Sequence, residues 1–449
     1  MLRHRILPFF GLWLAVAASA LYARPQLPSA AAPPPSVLAE IHAAGSSRYS
    51  EARIVAAVGL QPGEAITRDR IQAAVDRLLQ LGVFSRVNYT FTSRGDQITL
   101  NLVLEDAPQV PVEFDNFPWF SDEELKSAIR EAAPLFDQAA PTGGAQLDQM
   151  IAAIGRLMEA RGVPGTVARE LVAQPWSNGQ SNGMMLQFRA EGVDVTLDSL
   201  DYGSVLAAGS ERLRDRQRDL LQKPFSRVAI KLFEREQIQP IYLSAGHLRV
   251  QFGEPQVRVT GRPSQSSGPN QSVEKVSVAL RIVPGPVFHF TDVGWTGATV
   301  LPDATLRQLL VLKPGDVADG LAISAGLLRI EAEYKHRGYL DVKLELQPRF
   351  DDAAATVSYQ VAVTEGPQYR MGELILTGLS LDAARSLREK WTLQKGTVFD
   401  GDYLLNMLDK LAKPNTEIFG SLPVHYMEMG HWLRTDPQTR TADVLIDFK

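Results

Sequence analysis

Cysteine is absent from all 449 residues. That one absence excludes disulfides, a thiol nucleophile, thiolate metal sites and a lipidated cysteine, and it leaves the chain indifferent to an oxidising compartment. Histidine is sparse, with seven residues at 4, 42, 247, 289, 336, 425 and 431. His425 and His431 share strand parity, but six extended residues hold them roughly 20 Å apart, too far to share a metal. No H-E-x-x-H, G-x-x-x-x-G-K or G-x-S-x-G occurs. The expectation is therefore no catalytic residue, no cofactor and no metal. Trp119, Trp176, Trp295, Trp391 and Trp432 form no visible aromatic platform. Basic charge is not in excess either, at 46 Lys and Arg against 51 Asp and Glu, so nucleic acid is not an expected partner.

Long apolar runs are missing beyond the first 22 residues. At the start, Arg3, His4 and Arg5 precede an apolar run from Ile6 to Val16 and small residues at Ala18, Ser19 and Ala20, which reads as a signal peptide over residues 1–23. The alternative is an uncleaved anchor, although the run is shorter than the ~20 residues that span a bilayer comfortably. Removal of residues 1–23 takes Arg3 and Arg5 and leaves 44 basic against 51 acidic residues, a net charge of −7. A proline-rich linker over 24–36, containing Ala31-Ala-Pro-Pro-Pro35, cannot pack a core. Folding is expected to begin near Val37.

What the chain does contain is clearest between Leu321 and Pro367. Ile323, Leu327, Ile330 and Tyr334 recur at helical spacing. Leu321, Ala325, Leu328 and Ala332 form a second apolar set, so this helix is expected to pack on two neighbours. After Gly338 the period changes to two: Leu340, Val342, Leu344 and Leu346 alternate with Asp341, Lys343 and Glu345, and Val357, Tyr359, Val361 and Val363 answer them across a turn at Phe350-Asp351-Asp352. The two aspartates are explained by local backbone bonding in that turn. With a strand over Phe288–Val293 and a helix over Asp303–Leu312 upstream, the order is β-α-α-β-β.

The apolar-x3-Gly step at Tyr334 and Gly338 recurs as Leu78-x3-Gly82, Met158-x3-Gly162 and Tyr242-x3-Gly246, at glycine intervals of 80, 84 and 92 residues. A helix that hands over to a strand ends on a left-handed residue, which favours glycine. Leu411-x3-Asn415 continues the series with the next-best residue. About 20 residues earlier in each copy stands a turn between helices: Leu60-Gln-Pro-Gly63, Pro141-Thr-Gly143, Leu221-Gln-Lys-Pro224, Leu312-Lys-Pro-Gly315 and Leu393-Gln-Lys-Gly396. Five copies follow, over 37–107, 108–191, 192–284, 285–367 and 368–449. The second opens a helix with a capping box, Ser121 and Glu124. In the third, the Arg- and Asp-rich helix from Glu211 reads as a solvated face, and the hairpin loop Gly261–Ser272 as mobile.

Leu312-Lys-Pro-Gly315-Asp316, Tyr334-x3-Gly338-Tyr339 and Glu365-Gly366-Pro367, in this order, resemble the hallmarks of the POTRA (polypeptide-transport-associated) domain. Five in tandem resemble the periplasmic arm of the BamA-type outer-membrane assembly factors. The resemblance implies an α+β fold of five tandem β-α-α-β-β domains, each a small mixed three-stranded sheet with two helices on one face. In that family a membrane barrel follows the arm. Barrel-like segments and the motif V-R-G-F/Y are absent here, which leaves an expectation of binding rather than of membrane insertion.

The resemblance further implies a periplasmic, non-enzymatic scaffold or holdase in outer-membrane protein assembly or transport, peripheral to the outer membrane. Its implied partners are unfolded or nascent outer-membrane polypeptides, with a separate β-barrel subunit or a periplasmic chaperone besides. The second strand of each sheet would lie at an edge, so Asp341, Val342, Lys343, Leu344 and Glu345 are the expected binding residues, by strand addition. An anchored scaffold for division or cell-wall assembly, and an envelope hydrolase with a site assembled from several copies, are the alternatives.

Overall fold

Each of the five sheets places its last strand in the middle. The computed structural model describes residues 36–174, 183–203, 210–260, 273–413, 417–419, 424, 426 and 428–449. The signal peptide, nearly all of the proline-rich linker, the loop 261–272, Trp176, Asn415 and His425 lie outside them. The chain divides into two compact units, one ending at Ala107 and one running from Pro108 to Lys449.

Domain 1 comprises β1 (Ser36–Ala44), α1 (Glu51–Val58), β2 (Ala65–Ile66), α2 (Arg68–Gln80), β3 (Phe84–Arg94) and β4 (Gln97–Asp106). Domain 2 follows with β5 (Val110–Phe114), α3 (Asp122–Ala132), β6 (Ala139–Ala140), α4 (Ala145–Ala160), β7 (Thr166–Ala173) and β8 (Met184–Glu191). Domain 3 has β9 (Asp194–Asp201), α5 (Ser210–Leu220), α6 (Arg227–Phe233), a π-turn (Glu234–Ile238), α7 (Gln239–Ser244), β10 (Gln251–Val259) and β11 (Val273–Val283). Domain 4 has β12 (His289–Thr296), α8 (Asp303–Leu310), α9 (Gly320–His336), β13 (Lys343–Asp351) and β14 (Thr356–Thr364). Domain 5 has β15 (Arg370–Thr377), α10 (Leu381–Lys390), α11 (Gly401–Ala412), β16 (Met429–Asp436) and β17 (Thr441–Phe448).

A crossover through two helices makes the first and last strands parallel, and a hairpin makes the second and last antiparallel. In domain 4 this gives β12-β14-β13, in domain 5 β15-β17-β16 and in domain 3 β10-β11-β9. Domains 1 and 2 add a two-residue fourth strand, as β2-β1-β4-β3 and β6-β5-β8-β7. The central strand is the most apolar because neighbours flank it on both sides. Val357, Tyr359, Val361 and Val363 of β14 are buried, as are Val444, Ile446 and Phe448 of β17. Burying a side chain of this size contributes about 1.5–3 kcal/mol.

Helix α9 starts where the Asp319 carboxylate accepts the N–H groups of Leu321 and Ala322. Ile323, Gly326, Ile330 and Tyr334 form its buried face. A side chain at Gly326 would come within 2.9 Å of the Leu310 backbone, so this glycine lets α8 and α9 cross closely. The second apolar set departs from expectation, since Leu321, Leu328 and Ala332 are exposed. The helix does meet two neighbouring domains, touching α7 and α11, but it does so at its ends: Gly320 lies against Leu243, and Gly401 of domain 5 against Lys335.

The four marker glycines are left-handed, with φ of 80° at Gly82, 67° at Gly162, 85° at Gly246 and 84° at Gly338. At three of them the apolar residue four places earlier supplies the closing carbonyl: Met158 accepts from Val163 N, Tyr242 from His247 N and Tyr334 from Tyr339 N. This six-to-one bond is what the recurring step encodes. The Ser121–Glu124 capping box forms. Arg214, Asp215, Arg216, Arg218 and Asp219 of α5 are exposed, as a solvated face requires.

Candidate functional site: the sheet edges and the joints between domains

Every sheet has two edges, and the chain treats them differently. The outer edge of the first strand is clasped by the segment between the two helices. In domain 4, Gly315 N donates to Phe290 O and Phe290 N to Asp316 O, both at 2.8 Å. Domain 5 repeats this with Gly396, Met371 and Thr397, domain 1 with Gly63, Leu38 and Glu64, and domain 3 with Gln222, Leu197 and Lys223. In domain 2, Val112 N donates to Gln138 O. Pro141-Thr-Gly143 does lie between α3 and α4, but the clasp in this domain falls three residues earlier, where Gln138 in place of a glycine takes the left-handed conformation, with φ 55°.

The opposite edge belongs to β3, β7, β10, β13 and β16, and no described strand bonds to its outer side. Two of these five strands carry their own block. Pro348 stands inside β13, and Pro255 falls where the β10–β11 register shifts between Gly253 and Gln256. Proline lacks the donor an added strand needs, a common protection of sheet edges. Strands β3, β7 and β16 contain no proline and expose Phe91, Leu171 and Trp432 respectively.

Of the five residues expected to bind, the structure places three in an edge strand: Lys343, Leu344 and Glu345. Asp341 and Val342 precede it, which corrects the strand's start. Leu340 packs, half-buried, against the core of domain 5, so the chain must turn before it can extend. The Asp341 carboxylate then accepts the Tyr369 hydroxyl, and Val342 is buried in the core of domain 4.

Tyr334 fills the seam between helix and sheet, fully buried, and its hydroxyl donates to Glu365 at 2.9 Å. Burial and this contact raise the Tyr334 pKa. Burial would raise Glu365 too, but donation from Thr299, Val300 and Tyr334 holds its carboxyl below the usual range. The Glu365-Gly366-Pro367 motif is thus a structural staple. Asp351 accepts the N–H groups of Ala353 and Ala354, as its turn requires. Asp352 does something the sequence did not show, pairing with Arg249 of domain 3 at 2.7 and 2.9 Å, while that guanidinium lies 4.1 Å above the Phe350 ring.

Sequence reasoning also missed the joints. Gly246 O accepts Phe288 N at 2.9 Å, and Gly338 O accepts Tyr369 N at 2.8 Å, so each helix end is bonded to the first strand of the next domain. His336 Nδ1 lies 3.0 Å from Asp400 Oδ1 and 3.6 Å from Asp402 Oδ2 across the second of these joints. Those three could together hold a metal ion, although Asp400 already caps α11 through Tyr403 N. The joint between domains 2 and 3 is polar instead: Asp115, fully buried, accepts from Ser226 Oγ and Val228 N and pairs with Arg189. No single signal in the sequence links residues so far apart.

Residues 37–106 and 288–366 match the POTRA family model, described as a surface antigen variable number repeat. Among solved structures, POTRA domains 3–5 of Haemophilus influenzae BamA are similar at 17% identity over 57% of this chain and 96% of that one, with a TM-score of 0.42. BamA from Haemophilus ducreyi lacking POTRA domains 1–3 is similar at 21% identity over 36% of this chain and 29% of that one, TM-score 0.31. POTRA domains 1–3 of the Omp85 periplasmic domain from Anabaena are similar at 14% identity over 74% and 96%, TM-score 0.16. The five-domain architecture rests on the sheets themselves. No described helix is long and apolar enough to cross a membrane.

Proposed function

We propose that this protein is a non-enzymatic polypeptide-binding scaffold or holdase of the periplasm, working in outer-membrane protein assembly or transport, and that it holds extended chains by strand addition. The observation that carries this reading is the asymmetry of the edges. The interhelix segment bonds to the first strand in all five domains, whereas among the described residues no strand pairs with the outer side of the second strand. Outer-membrane polypeptides are alternating strands, so main-chain pairing can hold them without reading their sequence. Exposed Phe91, Leu171 and Trp432 offer apolar contacts beside those edges.

Pro348 leaves domain 4 the open run Lys343 to Gln347, and Pro255 leaves domain 3 only Gln251 to Glu254 and Gln256 to Val259. Strands β3, β7 and β16 are therefore the stronger candidates. Photo-cross-linkers at Thr90, Leu171, Lys343, Glu345 and Trp432 are expected to capture alternating peptides, with the yield at Arg349 lower than at Lys343. Proline at outward-facing donors of β3, β7 and β16 is expected to remove most of the capture. Unchanged capture in that triple variant, with folding intact by circular dichroism, would exclude strand addition.

A further inference from the structure

A cavity of about 440 Å³ opens between domains 2 and 3, within the size range of small-ligand sites. One wall is the long helix of domain 3, which widens into the π-turn Glu234–Ile238 between α6 and α7. Such widenings re-aim side chains and recur at functional sites. The residue that opens the turn is Glu234. It lines the cavity, is 5% exposed, and its Oε1 is buried without a hydrogen-bond partner. An unmatched buried carboxyl is costly, so the position calls for a donor.

The neighbouring cations do not supply one. Arg227 is engaged by Asp122 and by the carbonyls of Phe117 and Phe120, and Lys231 by Glu113. Glu254 accepts the Asp122 N–H, and Glu123 pairs with Arg130. The lining carries four acids against three bases, the third base being Lys126. The same lining includes the apolar side chains of Ile230, Phe252 and Val257. Glu234 is the lining acid with a buried unpartnered oxygen, and a carboxylate of that kind with apolar surface in the same cavity fits an organic cation on an aliphatic stem.

We propose that this cavity receives one cationic side chain of an extended polypeptide, its stem on Ile230, Phe252 and Val257 and its ammonium or guanidinium group donating to Glu234. Phe252 and Val257 belong to β10, the edge strand of domain 3, on either side of Pro255, which confines any added strand there to a short run, so the proposal rests on the strand-addition reading and deepens it. The cavity gives an otherwise sequence-blind edge a preference for lysine or arginine at one position. Burial raises the Glu234 pKa to about 7, against the opposing influence of Lys231. A bound cation favours the carboxylate and so expels a proton near neutral pH.

The test uses the full chain, wild type and Glu234→Gln, with two kinds of probe. The first is butylammonium, followed by calorimetry in buffers of different ionisation enthalpy. The second is a pair of fluorescent alternating peptides that differ by lysine or norleucine at the centre. Expected are saturable butylammonium binding with proton release in the wild type and neither in Glu234→Gln. The lysine peptide should bind about tenfold tighter than its norleucine twin, as a charge-assisted bond would give, with the difference gone in the variant. Equal binding of the two peptides in the wild type, or a lysine preference that survives Glu234→Gln, overturns the cavity proposal and leaves strand addition standing. Butylammonium binding without any peptide binding does the reverse. Binding of neither probe overturns both.

Discussion

The backbone N–H of Tyr369 donates to Gly338 O at 2.8 Å, and a side chain placed on Gly338 would lie 2.8 Å from Tyr369 O. One glycine therefore ends the helix of domain 4 and admits the first strand of domain 5. Gly246 and Phe288 stand in the same relation one domain earlier, with Val317 2.7 Å from the space a side chain would occupy. Gly162 is left-handed too, but a side chain there would meet nothing within 4 Å.

That contrast sets the first prediction. Gly162→Ala is expected to cost only the left-handed strain, about 1–2 kcal/mol. Gly338→Ala carries the same strain and must also displace Tyr369 and Val398, for a total of about 2–4 kcal/mol. Thermal unfolding checks this, with Gly338→Ala expected to release a separate low-temperature phase from domains 4 and 5. Equal losses at the two sites would mean that the joint is not tightly packed.

The second concerns Tyr334 and Glu365. Tyr334→Phe and Glu365→Gln are each expected to destabilise domain 4, by about 1–3 kcal/mol, and a double-mutant cycle should show them coupled. Glu365 has a lowered pKa when folded, so its contribution is present above the ordinary carboxylate range and is lost as pH falls through the lowered value. Acid unfolding of Glu365→Gln should accordingly be less steep than that of the wild type.

Gln222 provides the third. It is left-handed, φ 61°, at the clasp position where domains 1, 4 and 5 have Gly63, Gly315 and Gly396. Gln222→Gly should relieve strain of about 1–2 kcal/mol while loosening the unfolded chain by less. A net gain of about 0.5–1 kcal/mol in denaturant unfolding is expected, and a loss would show that the glutamine side chain is itself needed.

Glu234 provides the fourth. Its folded pKa, about 7, lies above its unfolded value, so the folded state holds a proton that the unfolded state has released. Stability then falls as pH rises from about 4.5 to 7 and levels off above. Glu234→Gln should flatten that decline and raise stability at pH 8 by on the order of 2 kcal/mol. An unchanged pH profile would show that Glu234 titrates normally.

Much of the domain fold is legible locally. The change of period after Gly338, the alternation in β14 and the left-handed glycines depend on a few adjacent residues, and backbone sterics with one-sided burial are enough to read them. The residues proposed for binding were less legible. Asp341 and Val342 keep perfect alternation with Lys343, yet the alternation cannot show that Leu340 packs against the core of domain 5.

By itself, then, the sequence determined the repeat, the strand and helix order and the positions where only a left-handed residue fits, because each follows from short-range geometry. Tertiary structure alone decided which sheet edge is clasped and which stays open, since the clasp pairs Phe290 with Gly315 and Met371 with Gly396 across whole helices. It likewise decided that Arg249 reaches Asp352, that His336 meets Asp400, and that Glu234 lines a cavity with its Oε1 unpaired. These relationships join side chains whose separation in the chain leaves no periodic trace, and they form only when one domain packs on the next.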